Sequence, residues 1–147
     1  MDAFSASLMA DKREIVFAPT VYKFQTFAQM AEEFKLGERD VVLTNEFIYT
    51  PFMKDLGLKC NFVFQEKFGA GEPSEAMIQT MYDAIPYDSY DRVIAVGGGA
   101  IMDLCKLLGC KRPDTVHNLY FKRFPVQHEK DVIAIPTTCG TGSECTN

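Results

Sequence analysis

An α/β fold, with a parallel sheet and helices on both of its faces, is the fold class that this sequence predicts. Short β-branched runs alternate with stretches of helical periodicity along most of the chain. Such alternation favours a parallel sheet, because two parallel neighbouring strands need a crossover connection that a helix supplies. One apolar run also enters three consecutive glycines and then a helical stretch. With 147 residues, the chain has the usual size of one domain, which we assign to residues 1–147.

Apolar runs and helical spacing predict the elements of the first part of the chain. Four apolar residues recur at i, i+3, i+4 and i+7 over residues 27–34, which predicts a helix. A second helix is predicted over residues 49–56, with Pro51 in its first turn and Gly57 just past its end. Strands are predicted at residues 15–17, 21–24 and 41–43.

The second part of the chain continues the same alternation. Ser74 is a favourable N-cap for a helix whose apolar residues recur from position 78 to position 85. Another helical face covers residues 101–108 and ends at Gly109. Strands are predicted at residues 62–64, 93–96 and 132–135. Open parallel sheets bind ligands at the carboxyl ends of their strands, so the loops after these strands are the expected binding segments.

Composition excludes several classes of function. The 15 Lys and Arg residues against 20 Asp and Glu residues give a net charge of -5, which argues against a nucleic acid or an anionic membrane as partner. No secretory signal and no apolar run long enough to span a membrane is apparent. Five cysteines without a Cys-x-x-Cys pair favour reduced thiols over a disulfide framework. We therefore expect a soluble cytoplasmic protein.

Groups suited to catalysis or metal binding are few in this sequence. His117 and His128 are the two histidines, and they form no His-x-x-x-His pair. Cys139 and Cys145 have no histidine within ten residues of either, which argues against a cysteine nucleophile. We therefore expect no metal ligand and no catalytic residue in this chain.

The glycines at the end of the predicted strand 93–96 indicate a phosphate-binding loop. Gly97, Gly98 and Gly99 let the backbone turn tightly and let a ligand approach without a Cβ in the way. The helix that begins near Ala100 would direct its free N–H groups at a pyrophosphate, and Asp103 is expected in its first turn. The third glycine of the usual dinucleotide fingerprint is absent, and no Walker A loop occurs. An ordinary glycine-rich turn is the alternative.

A second polar loop follows the predicted strand 132–135. Thr137, Thr138, Thr141 and Ser143 provide hydroxyl groups that could contact phosphate and ribose oxygens beside a flat ring. A polar turn without a ligand is the alternative. Asn45, after the predicted strand 41–43, lies where an acidic or amide side chain often contacts the adenosine ribose, although a simple Asx turn fits the local pattern better.

These two loops resemble the signatures of the metal-dependent, iron-type (group III) alcohol dehydrogenases. Residues 97–103, Gly-Gly-Gly-Ala-Ile-Met-Asp, are similar to the family's Gly-Gly-Gly-Ser-x-x-Asp motif, with Ala100 in place of the serine. Residues 136–144, Pro-Thr-Thr-Cys-Gly-Thr-Gly-Ser-Glu, are similar to its second motif. The stretches 21–24, 43–47, 63–67 and 71–74 resemble the bacterial 4-hydroxybutyrate dehydrogenases of that family.

The resemblance implies a Rossmann-like domain of the type found at the N-terminus of dehydroquinate synthase, with NAD as cofactor. It implies pyrophosphate over residues 97–100, adenosine ribose near Asn45, and nicotinamide near the hydroxyl-rich loop. Asn45 stands where many relatives carry aspartate, which weakens the repulsion of a 2′-phosphate. The small-molecule substrate would be the 4-hydroxybutyrate/succinate semialdehyde pair, and a homo-oligomer is left open.

Members of the family are more than twice as long and bind a divalent metal, commonly iron, in a helical second domain. The resemblance therefore implies that the domain is cut short at its C-terminal end, that the metal ligands lie beyond residue 147, and that residues 1–147 alone are inactive. Two other functions fit the residues. One is an enzyme like glycerol dehydrogenase or dehydroquinate synthase, and the other is a nucleotide-binding module without catalysis.

Overall fold

A computed structural model describes residues 19–121 and 125–146 of the chain. Its centre is a four-stranded sheet in the order β2-β1-β3-β4, in which every neighbouring pair is parallel. The strands are β1 (Asp40–Thr44), β2 (Asn61–Phe64), β3 (Arg92–Gly97) and β4 (Asp131–Pro136). The helices are α1 (Phe27–Glu33), α2 (Glu46–Phe52), α3 (Glu75–Ala84), α4 (Gly99–Gly109) and α5 (Val116–Tyr120). The predicted α/β class and parallel sheet are confirmed.

Both faces of the sheet are covered by helices, as predicted. On one face, α3 and α4 pack against alternate residues of β1 and β3, among them Val41, Leu43, Val93 and Ala95. On the other face, Met30 of α1 and Ile48 of α2 pack against the strand residues that alternate with these four. Because the side chains of a strand alternate between the two faces, β1 and β3 are buried on both.

The strand order creates a switch point between β1 and β3. From β1 the chain moves to β2 on one side, then crosses back over β1 to β3 and continues to β4 on the other side. Such a reversal leaves a crevice outside the carboxyl ends of the two central strands, where open α/β sheets bind ligands. We call this side of the sheet the carboxyl edge and the opposite side, where the strands begin, the amino edge.

Among the described residues, the structure departs from the element predictions at residues 21–24, at the second predicted helix and at α5. Residues 21–24 form no strand, and Val21 (86% exposed) and Tyr22 (60% exposed) lie outside the sheet. The segment is β-branched and aromatic, but it pairs with no strand of the described chain. The predicted strand at residues 15–17 lies outside the described residues. The short helix α5 was missed, because five residues are too few to show a period.

The helix predicted over residues 49–56 begins three residues earlier, at Glu46. Pro51 therefore lies in the second turn of α2 and not in the first, so that turn lacks one N–H donor. The helix ends at Phe52, and a 3-10 turn (Lys54–Leu56) follows. Gly57 ends this turn with φ of 63°, a left-handed conformation that glycine adopts without steric cost, as its predicted role requires.

No helix among the described residues is long and apolar enough to cross a membrane.

Candidate functional site at the carboxyl edge

The glycine loop joins β3 to α4 at the switch point. Gly98 is the N-cap of α4 and has no side chain to accept a hydrogen bond from the first turn. The first bond that closes the helix runs from the N–H of Met102 to the carbonyl oxygen of Gly98, 3.1 Å away. In the described chain, the N–H groups of Gly99, Ala100 and Ile101 therefore have no acceptor, as in the first turn of any helix. These donors and the helix dipole together suit an anion.

The glycines of this loop are required by space rather than by backbone conformation. The φ of Gly98 is -83°, which any residue adopts, and neither of its glycine neighbours has a positive φ. A Cβ on Gly97 would lie 2.5 Å from Cδ1 of Ile101, so Gly97 lets α4 approach the sheet. A Cβ on Gly99 would lie 3.1 Å from Oγ of Ser143. A Cβ on Gly98 would meet its nearest described atom, Oγ1 of Thr138, only at 3.4 Å.

The prediction that Asp103 lies in the first turn of the helix is wrong. The helix begins at Gly99, so Asp103 is its fifth residue, and the first turn contains no acidic side chain. The Asp103 carboxylate accepts a hydrogen bond from the Lys106 ammonium, 3.1 Å from Oδ1, on the surface of α4. Asp103 therefore cannot cap the free amides, and the anion-binding end of α4 carries no negative side chain of its own.

The hydroxyl-rich loop after β4 packs directly against the glycine loop. The N–H of Thr137 donates to the carbonyl oxygen of Gly97 at 3.0 Å, which extends the β3–β4 pairing into the loop. Thr138 lies within contact distance of a Cβ placed on Gly98. Thr141 and Ser143 lie within contact distance of a Cβ placed on Gly99. The structure thus brings together the four predicted hydroxyl residues and the three predicted glycines.

Two glycines and a lysine fix the path of this loop. Gly140 (φ of 92°) and Gly142 (φ of 69°) adopt left-handed conformations, and Gly142 leads into a 3-10 turn, Ser143–Cys145. The Lys106 ammonium, whose side chain is 17% exposed, donates to the hydroxyl of Thr146 as well as to Asp103. Lys106 therefore connects α4 to the end of the loop, a link that the sequence pattern did not reveal.

Asn45 lies at the end of β1, next to an acidic residue that the sequence reasoning missed. The Asn45 amide donates from Nδ2 to Oε1 of Glu66 at 3.0 Å, and the backbone N–H of Glu46 donates to the same oxygen at 3.1 Å. Glu66 follows β2, so the β1–β2 pairing places these residues side by side. The same rule that singled out Asn45, a polar residue two positions after a predicted strand, would have found Glu66.

Unsatisfied polar atoms also gather at this edge. Oγ1 of Thr44, at the fully buried end of β1, and Oε2 of Glu144, in the hydroxyl-rich loop, are buried without a hydrogen-bond partner in the described structure. Arg112 Nε, away from both loops, is the third such atom among the described residues. Buried polar atoms normally have partners, so orphans beside a crevice fit a site that a ligand or water completes.

The described residues contain no group of three or more His, Cys, Asp or Glu side chains that could hold a metal ion. Burial raises the pKa of the Cys60 thiol to about 11 and also raises the pKa values of Cys105 and Cys110. Those three thiols are thus kept protonated, which suits packing and not nucleophilic or ligand chemistry. The carboxyl edge can hold an anion and a polar ligand, but these residues do not fit a resident metal.

A cavity of the described chain lies elsewhere, at the amino edge. It has a volume of about 760 Å³ and is lined mainly by charged residues around the starts of the strands, including Lys35, Arg39, Asp40, Lys59 and Asp91. Arg39 is paired with Asp91, and Asp40 with Arg92. Because Arg39, Asp40, Asp91 and Arg92 already have partners, whereas the first turn of α4 has unused N–H donors, we place the candidate site at the carboxyl edge.

Comparison with known proteins gives matches over most of the chain. Residues 18–147 match the sequence model of the family described as iron-containing alcohol dehydrogenase. The chain is 46% identical over 130 residues to a 4-hydroxybutyrate dehydrogenase of Clostridium kluyveri, a match that covers 88% of this chain and 35% of that enzyme. The chain thus spans about a third of the length of this curated relative.

Solved structures share the fold. An iron-containing alcohol dehydrogenase from Thermotoga maritima is 26% identical, with a TM-score of 0.61 over 82% of this chain and 35% of that protein. A sulfoacetaldehyde reductase from Bifidobacterium kashiwanohense, crystallised in complex with NAD+, is 23% identical, with a TM-score of 0.62 over 82% of this chain and 33% of that protein. At that lower identity the likeness concerns the fold alone.

Proposed function

Because the chain belongs to the iron-containing alcohol dehydrogenase family, we propose that it is the NAD-binding part of an oxidoreductase that transfers hydride between an alcohol and an aldehyde. The observation that supports this most is the glycine loop, where three unused N–H groups at the start of α4 meet the hydroxyl-rich loop. A dinucleotide needs donors for its pyrophosphate and a polar, uncrowded surface for its ring, and both occur here. We assign residues 1–147 to one dinucleotide-binding domain.

In the proposed binding mode, the dinucleotide lies across the switch point between β1 and β3. The pyrophosphate lies over Gly97, Gly98, Gly99 and Ala100 and accepts hydrogen bonds from the free N–H groups of the first turn. Ala100 contributes its N–H but no hydroxyl, so one neutral hydrogen bond is absent relative to a serine, worth about 0.5–1.5 kcal/mol. Asp103, one turn further along α4, contributes to pyrophosphate binding only indirectly, through its ion pair with Lys106.

The two ends of the dinucleotide occupy opposite sides of this loop. The adenosine ribose lies toward β1, where Asn45 ends the strand. The nicotinamide lies toward β4, where Thr137, Thr138, Thr141 and Ser143 surround the approach to Gly98 and Gly99. These hydroxyl groups orient the ring, while NAD itself supplies the hydride chemistry when bound.

The divalent metal of the family, commonly iron, has no site among the described residues. We propose that its ligands belong to the rest of the enzyme, since this chain spans 35% of the relative it matches. The proposed division of labour gives this domain cofactor binding and no catalytic residue.

For the substrate, we propose the 4-hydroxybutyrate/succinate semialdehyde pair. The proposal is supported by 46% identity to a 4-hydroxybutyrate dehydrogenase over 88% of this chain. The substrate would meet the cofactor on the nicotinamide side, beside the hydroxyl-rich loop.

An absorbance assay tests this proposal. The full-length enzyme, of which this chain is the proposed NAD-binding part, is mixed with NADH and either succinate semialdehyde or dihydroxyacetone, with Fe(II) or Zn(II) added. We expect the full-length enzyme to oxidise NADH with succinate semialdehyde and little with dihydroxyacetone, and residues 1–147 alone to oxidise none with either compound. The reverse preference would favour a glycerol dehydrogenase-like activity, and NADH binding without turnover of any carbonyl compound would favour a nucleotide-binding module.

A further inference from the structure

We propose that Glu66 sets the cofactor preference of this protein, by placing a carboxylate where the 2′-phosphate of NADP would lie. The inference rests on the proposed function, because it concerns the ribose end of the same dinucleotide site. Asn45 is an amide and cannot repel a phosphate. The structure assigns that charge to Glu66, whose carboxylate is held against the Asn45 side chain.

Two hydrogen bonds and the turn that carries Glu66 hold its carboxylate in place. Its Oε1 accepts hydrogen bonds from Asn45 Nδ2 at 3.0 Å and from the N–H of Glu46 at 3.1 Å. Its backbone belongs to a 3-10 turn, Gln65–Lys67, that follows β2. Gln65, which is 7% exposed, anchors this turn through a 3.2 Å hydrogen bond from its Nε2 to the carbonyl oxygen of Gly71. A carboxylate so held keeps its place when a ligand arrives.

The free oxygen of Glu66 gives the pair its selectivity. Within the described chain, Oε2 of the exposed Glu66 has no hydrogen-bond partner. It can accept a hydrogen bond from a ribose hydroxyl, whereas a phosphate in the same place would bring two anions together. The exposed Glu46, next in sequence to Asn45, adds to the negative charge at this corner.

The nearest cation in sequence does not cancel this charge. The Lys67 ammonium lies 5.4 Å from the centroid of the Phe64 ring, in a cation–π contact. No ion pair joins Lys67 to Glu66 in the described structure. A 2′-phosphate would have to draw Lys67 from that ring to gain a counter-charge.

A purely structural role for Glu66 is the competing explanation. Its bond to the N–H of Glu46 also caps the first turn of α2, where a carboxylate is favourable. The substitution Glu66→Gln separates the two roles, because glutamine keeps an oxygen acceptor for Asn45 and Glu46 but removes the charge. Glu38→Gln is the matched control, since it removes one exposed carboxylate at the amino edge.

Calorimetric titration of the full chain with NAD+ and with NADP+ tests the proposal. In Glu66→Gln we expect the Kd for NADP+ to fall about tenfold, and the Kd for NAD+ to change less than about threefold. The wild-type preference should also weaken between about 0.05 M and about 0.5 M KCl, because salt screens exposed charges. In Glu66→Gln the preference should respond much less to salt.

An unchanged ratio of the two Kd values in Glu66→Gln would overturn the role of Glu66 and leave dinucleotide binding intact. Tighter binding of NADP+ than of NAD+ by the wild type would also overturn it, with Lys67 as the attracting group. If the wild type bound neither dinucleotide, the proposed function itself would fail. Glu38→Gln should match the wild type with both cofactors.

Discussion

The two edges of the sheet differ in how their polar groups are satisfied. At the amino edge, Arg92 donates from Nε and Nη2 to the Asp40 carboxylate at 2.8 and 2.9 Å, and from Nη2 to the carbonyl oxygen of Phe34. At the carboxyl edge, the first-turn N–H groups of α4 lack acceptors, and Oγ1 of Thr44 is buried without a partner. The charges of Asp40 and Arg92 at the amino edge are therefore satisfied, whereas the carboxyl edge retains unused hydrogen-bonding capacity.

This difference teaches that unsatisfied hydrogen-bond donors mark the candidate site better than the presence of a cavity does. The amino edge has a cavity of about 760 Å³, but the charges of Arg39, Asp40, Asp91 and Arg92 are already paired. A ligand that bound Arg39 or Arg92 would have to break an ion pair, while a dinucleotide at the carboxyl edge would satisfy groups that folding leaves open. We therefore expect changes at the amino edge to affect stability and changes at the carboxyl edge to affect cofactor binding.

The largest effect is expected at the amino edge, from Arg92→Met. Asp40 is 6% exposed, so its carboxylate would remain buried without its partner. We expect the free energy of unfolding, measured with urea, to fall by about 2–4 kcal/mol. Arg39→Met, which breaks an exposed pair, should cost much less. A loss of NADH affinity in folded Arg92→Met would break the division between the two edges.

Gly98→Val should have the opposite pattern. The backbone at Gly98 tolerates any residue, and its Cβ would meet only Thr138 within 4 Å, so the fold should survive. The side chain would occupy the space over the first turn of α4, and the Kd for NADH should rise more than tenfold, or about 1.4 kcal/mol. The control is Gly37→Val at the amino edge, where the nearest atom lies 4.0 Å from a Cβ. Unchanged NADH affinity in Gly98→Val would show that the pyrophosphate lies elsewhere.

A smaller effect is expected from Lys106→Met. This substitution removes the hydrogen bonds from Lys106 to Asp103 and Thr146, which hold the hydroxyl-rich loop against α4. The Kd for NADH should rise about three- to fivefold, the worth of one or two modest hydrogen bonds. Lys111→Met, which removes an exposed lysine 4.0 Å from Glu129, should leave the Kd unchanged. Equal effects of the two variants would argue against a role of Lys106 in the loop.

Thiol alkylation probes the same loop with the smallest perturbation. Cys139 and Cys145 are exposed, whereas Cys60, Cys105 and Cys110 are buried. Burial raises the pKa of each buried thiol, so the thiolate fraction at pH 8 is lower in the native state than after unfolding. Mass spectrometry after iodoacetamide treatment should show two modified cysteines in the native protein and five in urea. NADH should slow the modification of Cys139, and equal rates with and without NADH would count against nicotinamide binding beside this loop.

Local patterns were enough to predict most of the fold, because buried strands and amphipathic helices leave a clear period in sequence. The β3–α4 loop was also visible, since three glycines stand between a strand and a helix. The failures concern what depends on other segments. Residues 21–24 have strand composition but no pairing partner in the described sheet. Asp103 lies outside the first turn because the helix begins at Gly99, one residue earlier than predicted.

The Asn45–Glu66 pair shows why part of the site was out of reach. The two residues are 21 positions apart, and they meet only because β2 pairs with β1 on the side away from β3. Strand order is a property of the whole sheet, and no local period encodes it. The ten cofactor-binding residues proposed from the sequence all lie at the carboxyl edge or on α4, but their contact with NAD remains a prediction.

Amide hydrogen exchange with and without NADH tests the central claim most directly, because it reports on both edges in one experiment. The account predicts that NADH slows exchange at residues 97–101 and 137–143 and leaves residues 35–40 and 57–59 unchanged. Slowed exchange at residues 35–40 and 57–59, with none at residues 97–101 under conditions where NADH is bound, would contradict it and place the cofactor in the cavity at the amino edge.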